Sequence, residues 1–447
     1  MTLLANFLFA KDIVLFPACL LFFFFIIRSR ANNQKDERIK KLYYQAFYFK
    51  VVCVILFTLV TQFYFKGGDT NLYYQATKDL RAAIQDNPDN IWTIIQTNKL
   101  TINHPLTPYF YYDNFEQDIT YNYMISAANF LPGKLALLPS FLFGNSFLCI
   151  NMFFGFFALG GAIRLFKSFY YFYPALWRQL AVACLFLPGV AFWSAGLLKD
   201  PVTFGCIGYI LYALVQIIFK KQKVTASLIW ILVCGYLLFY IKIYILLVLA
   251  LSLVVWFFAE FNKTIKEKTL RYIFTILTFA GSAIVGYLLL NYLTSFDAAQ
   301  EYKLDSLLNS AEAQRKGYEM INQASKGDSH FTLNAGNPVL LFLGSIVATF
   351  FRPFVWEINT PIALLSAFES AVFLFLTLFV IFKRGVLKFF TVSFSDGRIL
   401  MCFVFAFVFA FAVGSSTANF GALSRYKIPC TPFYLLFLLL LYNKLEL

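Results

Sequence analysis

Long apolar runs recur along the whole chain, and they constrain its fold more than any other feature. A run of about 18 or more apolar residues is long enough to cross the hydrocarbon core of a bilayer as a helix. Hydrophobic residues make up 60% of the 447 residues and charged residues only 13%, so a water-soluble core could not bury the apolar surface. The sequence therefore predicts an all-α integral membrane protein, with residues 1–447 forming a single polytopic domain.

The boundaries of these runs predict a bundle of about eleven spanning helices, because each run is long enough for one crossing. One further apolar stretch, 339–351, is too short to cross and is predicted to be a re-entrant or partial segment. Arginines follow the first run rather than precede it, which predicts an uncleaved helix and not a secretory signal peptide. The predicted spans are 13–27, 48–66, 141–164, 179–197, 202–219, 225–240, 242–259, 272–293, 361–382, 399–414 and 429–443.

The distribution of basic residues predicts the orientation. Cytoplasmic loops are enriched in Lys and Arg, and one set of short loops holds more than half of the 37 basic residues. This places the N-terminus outside and the C-terminus in the cytoplasm of a multi-pass protein of the inner (cytoplasmic) membrane. Contact with anionic headgroups accounts for the net charge of +14, so no nucleic-acid partner is expected. The basic loops are 28–50, 164–178, 220–223, 263–271, 383–398 and the segment at Lys444.

Two long hydrophilic loops, 67–133 and 294–337, are thereby predicted to be extracytoplasmic, and loops of such length are usually functional. The first begins with two glycines, which allow a tight turn, followed by Asp69 and Thr70. Either residue could cap a helix whose apolar residues recur every three or four positions, as in an amphipathic helix on the membrane surface. Asp69 would then be a helix cap only, or a general base that deprotonates a hydroxyl.

The chain has two histidines, His104 and His330, and both fall in the predicted outer loops. Histidine changes its charge near neutral pH, which makes either one a candidate catalytic residue beside Asp69. Aromatic residues and Asp113 follow His104 closely. Such a cluster suits the apolar faces and hydroxyls of a sugar, or else an interfacial aromatic belt.

Lys199 lies in the sequence Leu198-Lys199-Asp200-Pro201, at the junction of two predicted helices. Asp200 is predicted to cap the second helix and Pro201 to be its first residue. The N-terminus of a helix favours anions, so a phosphate would fit beside Lys199. The alternative is a snorkelling lysine paired with Asp200. Lys242 would add a second cation on the same face.

Charged residues also surround the short segment and the last span. Arg352 and Glu357 follow the short segment, and Glu369 lies within an apolar run, where a charge is costly unless it is paired or functional. Arg352 either pairs with Glu357, serves as the partner of Glu369, or holds a diphosphate. Arg425 and Lys427 precede the last span and would complete an electropositive outer pocket suited to a lipid phosphate.

With these residues, the chain resembles the bacterial membrane glycosyltransferases of the GT-C superfamily and the related O-antigen and exopolysaccharide polymerases. The resemblance implies that Asp69 is the catalytic base, because the family carries an acidic residue in its first outer loop. It also implies that Lys199, Arg425 and Lys427 bind the donor phosphate. An extra first helix and the lack of a large C-terminal soluble domain in this sequence move the expectation towards the polymerases.

The expected function is transfer of a sugar from a polyprenyl-phosphate or polyprenyl-diphosphate donor to a hydroxyl of a lipid-linked or growing glycan. The expected partners are that donor, the acceptor glycan and membrane lipids, and neither a metal ion nor another cofactor is expected. Two alternatives stay open. One is a flippase or transporter for lipid-linked sugars, and the other is a non-catalytic assembly protein of the cell envelope.

Overall fold

The computed structural model describes residues 7–110, 117–263, 337–358, 361–394 and 396–446, with isolated residues between 264 and 336. Within these ranges the chain is helical, and an isolated bridge at Asn419 is the only β-type pairing. Seven of the described helices are long and apolar enough to cross a membrane. The protein is therefore an α-helical membrane protein, as the apolar runs predict.

The chain forms two compact units. Unit 1 comprises residues 1–177, 184–186 and 191–242, and unit 2 comprises 178–183, 187–190 and 243–447, within the described ranges. The first helices are α1 (Asp12–Asn32), α2 (Glu37–Val60), α3 (Asp69–Asp86), α4 (Asn90–Gln96), α5 (Gln117–Met124), α6 (Ala127–Leu142), α7 (Phe147–Phe172), α8 (Trp177–Leu185), α9 (Pro188–Trp193) and α10 (Lys199–Val215). They are followed by α11 (Val224–Asn262), α12 (Pro338–Phe351), α13 (Pro361–Arg384), α14 (Val386–Ser393), α15 (Gly397–Ser416), α16 (Phe420–Tyr426) and α17 (Thr431–Glu446).

Short 3-10 and π-helical turns extend or join these helices: Thr61–Phe65 after α2, Thr107–Phe110, Pro174–Leu176, Gln216–Lys220 after α10, and Val355–Glu357. The seven candidate spans are Asp12–Asn32, Glu37–Phe65, Phe147–Phe172, Lys199–Lys220, Val224–Asn262, Ala363–Lys383 and Gly397–Ser416.

The number of long helices in the described residues is smaller than the predicted number of spans, for four reasons. The predicted span 179–197 is divided into α8 and α9, because Pro188 cannot continue the preceding helix. The spans 225–240 and 242–259 are joined in α11, whose 39 residues exceed the length of one crossing. The span 272–293, like most of loop 294–337, lies outside the described residues. The span 429–443 corresponds to α17, which has 16 residues.

The helix α11 is interrupted at Lys242. Its backbone there has φ −155° and ψ 80°, which are not helical values. A continuous helix of 39 residues would be about 58 Å long, nearly twice the hydrocarbon thickness of about 30 Å. The interruption at Lys242 therefore divides α11 into two shorter helical segments.

The amphipathic helix α3 packs on α6 within unit 1. Thr77 Oγ1 donates a hydrogen bond to the carbonyl oxygen of Gly133 at 3.2 Å, and Ala76 and Leu80 are fully buried on the same face. The amphipathic pattern is as predicted, but the apolar face is covered by another helix. Tyr73 and Tyr74 are buried as well.

The short helix α12 packs against α15 in unit 2. Thr349 Oγ1 donates to the carbonyl oxygen of Ala410 at 2.9 Å, and the backbone of Ser345 lies against Gly414. The two helices therefore run antiparallel, and the 14 residues of α12, about 21 Å long, end opposite the middle of α15. The chain then leaves the helix at Arg352. The helix α12 therefore extends along only part of the length of α15.

Candidate functional site

A buried, non-helical segment connects α9 to α10. Residues 194–198 are all buried, although their backbone makes no regular structure. Among spanning helices, such backbone must find its hydrogen-bond partners within the protein. Asn151 Oδ1 of α7 accepts the N–H of Leu197 at 2.8 Å. Lys50 of α2 donates to Ser194 Oγ at 2.8 Å and to the carbonyl oxygen of Ala191 at 2.9 Å. Two buried side chains thus hold the segment.

The sequence pattern did not indicate that Lys50 is an interior residue. It placed Lys50 at the end of the basic loop 28–50, but α2 begins at Glu37, and Lys50 is only 4% exposed. The signal was present in the sequence. Asp36 is a favoured N-cap residue, and its side chain accepts the N–H of Arg38, so the helix starts well before the apolar run.

Asp200 and Lys242 form a buried ion pair. Lys242 Nζ lies 2.9 Å from Asp200 Oδ1, and the two residues are 8% and 0% exposed. The helix α10 begins at Lys199 with Leu198 as its cap residue, so Asp200 and Pro201 lie inside the first turn rather than before it. That Lys242 supplies a cation to a phosphate stays a prediction, and in this structure its ammonium group is paired with Asp200.

Asp69 is the first residue of α3. The preceding glycines, Gly67 and Gly68, have φ values of 154° and 84°, which a residue with a side chain rarely adopts. Gly68 occupies the cap position, so the prediction that Asp69 or Thr70 caps the helix is wrong by one residue. The Asp69 side chain is half-buried, and the positive end of the helix favours its negative charge.

His104 organises the loop that follows α4. Its Nδ1 accepts the N–H of Leu106 at 3.2 Å, and its Nε2 lies 3.0 Å from Thr97 Oγ1. Partial burial lowers the pKa of His104 below its ordinary value. The same loop contacts α11, because Asn98 donates to the hydroxyl of Tyr240 at 3.3 Å. Both ring nitrogens of His104 are thus engaged, and His330 lies outside the described residues.

Four of the predicted site residues lie at one end of unit 1, the end at which α7 begins. The Tyr74 hydroxyl of α3 donates to the carbonyl oxygen of Asn145 at 2.9 Å, just before α7. The contact of Asn98 with Tyr240 brings the loop after α4 close to the break in α11. The residues at this end are Asp69, His104, Lys199 and Lys242.

In unit 2, Arg352 is paired with Glu357, one of the three alternatives left open by the sequence. Its Nε donates to both carboxylate oxygens, at 3.0 and 3.1 Å, and its guanidinium lies 5.0 Å from the ring of Phe331 and 5.2 Å from that of Phe420. Burial alone would raise the pKa of Glu357. Hydrogen bonds from Arg352 and from the N–H of Phe354 instead hold this pKa below its ordinary value.

Glu369 has a different partner from the one considered. Its Oε1 accepts the N–H of Gly189 at 2.6 Å, so the possibility that it pairs with the arginine after α12 is wrong. Lys427 is 3% exposed and donates to Ser370 Oγ at 3.1 Å. Arg425, in the last turn of α16, is half-buried. The two cations of this segment therefore have different environments, and Lys427 is the enclosed one.

The structure thus groups the predicted site residues by unit. Asp69, His104, Lys199 and Lys242 belong to unit 1, and the other described ones belong to unit 2: Arg352, Glu357, Arg425 and Lys427. No family model, curated protein or solved structure matches the chain.

Proposed function

We propose that this protein is an integral membrane glycosyltransferase or polysaccharide polymerase that uses a polyprenyl-linked sugar donor. The observation that carries the proposal is the position of Asp69. It is a half-buried carboxylate on the first turn of α3, directly after the spanning helix α2, at the same end of unit 1 as Lys199. A carboxylate at the edge of an apolar bundle can accept a proton from a glycan hydroxyl while the polyprenyl chain stays in the lipid.

In the proposed reaction, Asp69 takes the proton of the acceptor hydroxyl as the acceptor oxygen forms a bond to the anomeric carbon of the donor. The bond between that carbon and the phosphate oxygen breaks, and the polyprenyl phosphate or diphosphate leaves. Lys199 stabilises the negative charge on the leaving phosphate. Arg352, Arg425 and Lys427 of unit 2 stay predicted donor contacts. His104 and Lys242 are assigned to holding the loop and the helix break.

The proposal includes an orientation. The end of unit 1 that carries Asp69 faces away from the cytoplasm, because the opposite end carries the basic residues that cytoplasmic loops favour. The N-terminus is then outside and the C-terminus in the cytoplasm of the inner membrane. The proposed eleven crossings count α8 with α9 as one, α11 as two, 272–293 and α17 as one each, and α12 as none.

Replacement of Asp69 by Asn tests the assignment. Membranes from cells that carry only the variant are supplied with radiolabelled sugar nucleotides, and the label is followed from lipid-extractable to polymeric glycan. The expected result is a loss of polymer formation of about 100-fold or more, because general-base catalysis contributes at least that factor. Asp89→Asn is the matched control, since Asp89 lies in the same loop and is exposed. Near-normal polymer formation by the Asp69 variant would remove Asp69 from the reaction.

A second candidate function is transport of lipid-linked sugars. It is favoured by four buried polar groups among the spanning helices of unit 1, which are Lys50, Asn151, Asp200 and Lys242. The test is movement of a fluorescent polyprenyl-diphosphate saccharide across proteoliposome membranes, measured by dithionite quenching. Accelerated movement that Asp69→Asn leaves intact would establish transport. A non-catalytic assembly protein would show neither transfer nor movement.

A further inference from the structure

Five basic side chains come together at the end of unit 1 opposite Asp69, where α7 and α10 end. Lys167 of α7 lies within electrostatic range of the other four, which belong to α1, α7, the π-helical turn after α10 and the turn that follows it. The fold brings together residues that are far apart in sequence. Because like charges repel, this arrangement costs free energy unless an anion binds among them. We call these residues the basic cluster: Arg30, Arg164, Lys167, Lys220 and Lys223.

The described residues offer no carboxylate to the basic cluster. None of its five members forms an ion pair with a described residue, and Arg164 donates its hydrogen bond to the carbonyl oxygen of Gly160 at 3.0 Å. Asp36, an acid at this end of the unit, pairs with Arg38 at 3.0 Å. The charges of the basic cluster are therefore available to an external anion.

Aromatic rings hold the cations of the cluster in place. The guanidinium of Arg164 lies 4.1 Å from the ring centroid of Tyr209 and 5.6 Å from that of Trp230. The ammonium of Lys167 lies 5.2 Å from the ring of Tyr43. Contact with a ring face orients a cation without neutralising it. Both Arg164 and Lys167 belong to the candidate span Phe147–Phe172, so their charges lie at or below the depth of lipid headgroups.

We propose that the basic cluster binds the phosphate headgroup of an anionic membrane lipid. Basic pockets between spanning helices recognise such headgroups, and the aromatic rings suit the interfacial region. A lipid is the source favoured by the position of Arg164 and Lys167 within a spanning helix, because the phosphate of a lipid is already at that depth. The proposal does not depend on the transferase assignment.

The experiment is native mass spectrometry of the purified protein in a neutral detergent. Phosphatidylglycerol, phosphatidylcholine and inorganic phosphate are titrated separately, and the bound fraction gives a dissociation constant for each. Phosphatidylglycerol is expected to bind most tightly. Arg164→Gln and Lys167→Gln should each weaken its binding about five-fold, since one basic residue near an anionic surface contributes about a factor of that size.

Lys40→Gln is the matched control. It removes one positive charge at the same end of unit 1, but Lys40 is paired with Glu37 at 3.2 Å and lies outside the cluster. Its phosphatidylglycerol affinity should equal that of the wild type. If Arg164→Gln or Lys167→Gln unfolds, Lys223→Gln replaces it, because Lys223 is an exposed member of the cluster.

Three outcomes would overturn the proposal. Equal affinities for phosphatidylglycerol and phosphatidylcholine would show that the headgroup charge is not recognised. A loss in Lys40→Gln as large as in Lys167→Gln would show a diffuse surface effect. Binding of inorganic phosphate as tight as that of phosphatidylglycerol, and lost in the same variants, would identify a soluble ligand instead of a lipid.

Discussion

The buried ion pair between Asp200 and Lys242 gives the sharpest test of the structure. It joins the first turn of α10 to the interruption of α11, so it links two helices that are 42 residues apart in the chain at this position. We consider three variants: Asp200→Asn, Lys242→Met, and the double variant that carries both. Each single variant leaves one buried charge without its partner, whereas the double variant removes both charges.

The magnitude follows from the distance and burial of the pair. Two unit charges 2.9 Å apart attract by about 6 kcal/mol at an effective dielectric constant of about 20, and desolvation of both groups offsets most of this. Loss of one partner leaves an uncompensated buried charge and costs about 3–5 kcal/mol. For a compact unit of this size, the melting temperature should fall by about 6–20 °C. Lys242→Met should have the larger effect, since Asp200→Asn keeps an oxygen that accepts a hydrogen bond.

The assay uses the cysteines of the chain itself. All eight are free and buried, so a maleimide dye that fluoresces on reaction with thiols reports unfolding on heating in detergent. Asp36→Asn serves as the control. It breaks the pair of Asp36 with Arg38, whose side chain is 63% exposed, and exposed pairs contribute little. The control should unfold at the wild-type temperature.

The double variant decides the interpretation. A neutral pair in place of a buried ion pair is often tolerated, so the double variant should recover most of the stability lost in either single variant. The reasoning is refuted if both single variants unfold at the wild-type temperature. It is also refuted if the loss in the double variant equals the sum of the two single losses, because the two side chains would then act independently.

Two further predictions concern thermal stability. The first is measured with the same dye assay, and the second is measured by intrinsic tryptophan fluorescence, because the thiolate that reacts with a maleimide is almost absent at acid pH. Gly161→Ala should destabilise the protein by about 1–3 kcal/mol, because the added Cβ would meet the backbone of Gly205 in α10. The control Gly235→Ala places its Cβ in open space and should stabilise the protein by about 0.5–1 kcal/mol. Equal effects of the two substitutions would contradict the close packing of α7 on α10. Burial alone would raise the pKa of Asp396, but hydrogen bonds from Arg398 lower it to about 2. The ionised Asp396 therefore contributes about 2 kcal/mol to the free energy of unfolding above pH ~4, and this contribution is lost as the pH falls towards 2. Asp396→Asn should remove that part of the acid sensitivity. If the difference between the thermal unfolding midpoints at pH 5 and pH 3 were the same in the variant and the wild type, this prediction would be contradicted.

The sequence predicted the helical membrane class because hydropathy is a local property. Each spanning helix is apolar over its own length, whatever it packs against. The position of helix ends and breaks is less local. Pro188 gave a usable signal for the division of the span 179–197, and the capping residue Asp36 gave one for the early start of α2. The break at Lys242 has no such signal, because neither a proline nor a glycine stands there.

The interaction partners of the charged site residues were likewise predictable only where they lie close in sequence. Arg352 and Glu357 are five residues apart, and their pairing was one of the predicted alternatives. Asp200 is paired with Lys242, which is 42 residues away in the chain and was not considered as its partner from the sequence. Glu369 accepts a backbone N–H 180 residues away, and a backbone donor leaves no trace in side-chain identity. Partners close in sequence could be predicted, and those set by packing could not.

The two ends of unit 1 differ in how their charges are arranged, and this difference separates the two proposals. At one end, which also carries the half-buried Asp69, Lys242 is neutralised by Asp200, an arrangement that leaves few net charges. At the other end the basic cluster has no carboxylate partner among the described residues, an arrangement suited to holding an anion. Charges at opposite ends of spanning helices lie well beyond the Debye length of about 8 Å at physiological salt. Asp69→Asn should therefore leave phosphatidylglycerol affinity unchanged, so a failure of the transferase proposal would leave the lipid site standing.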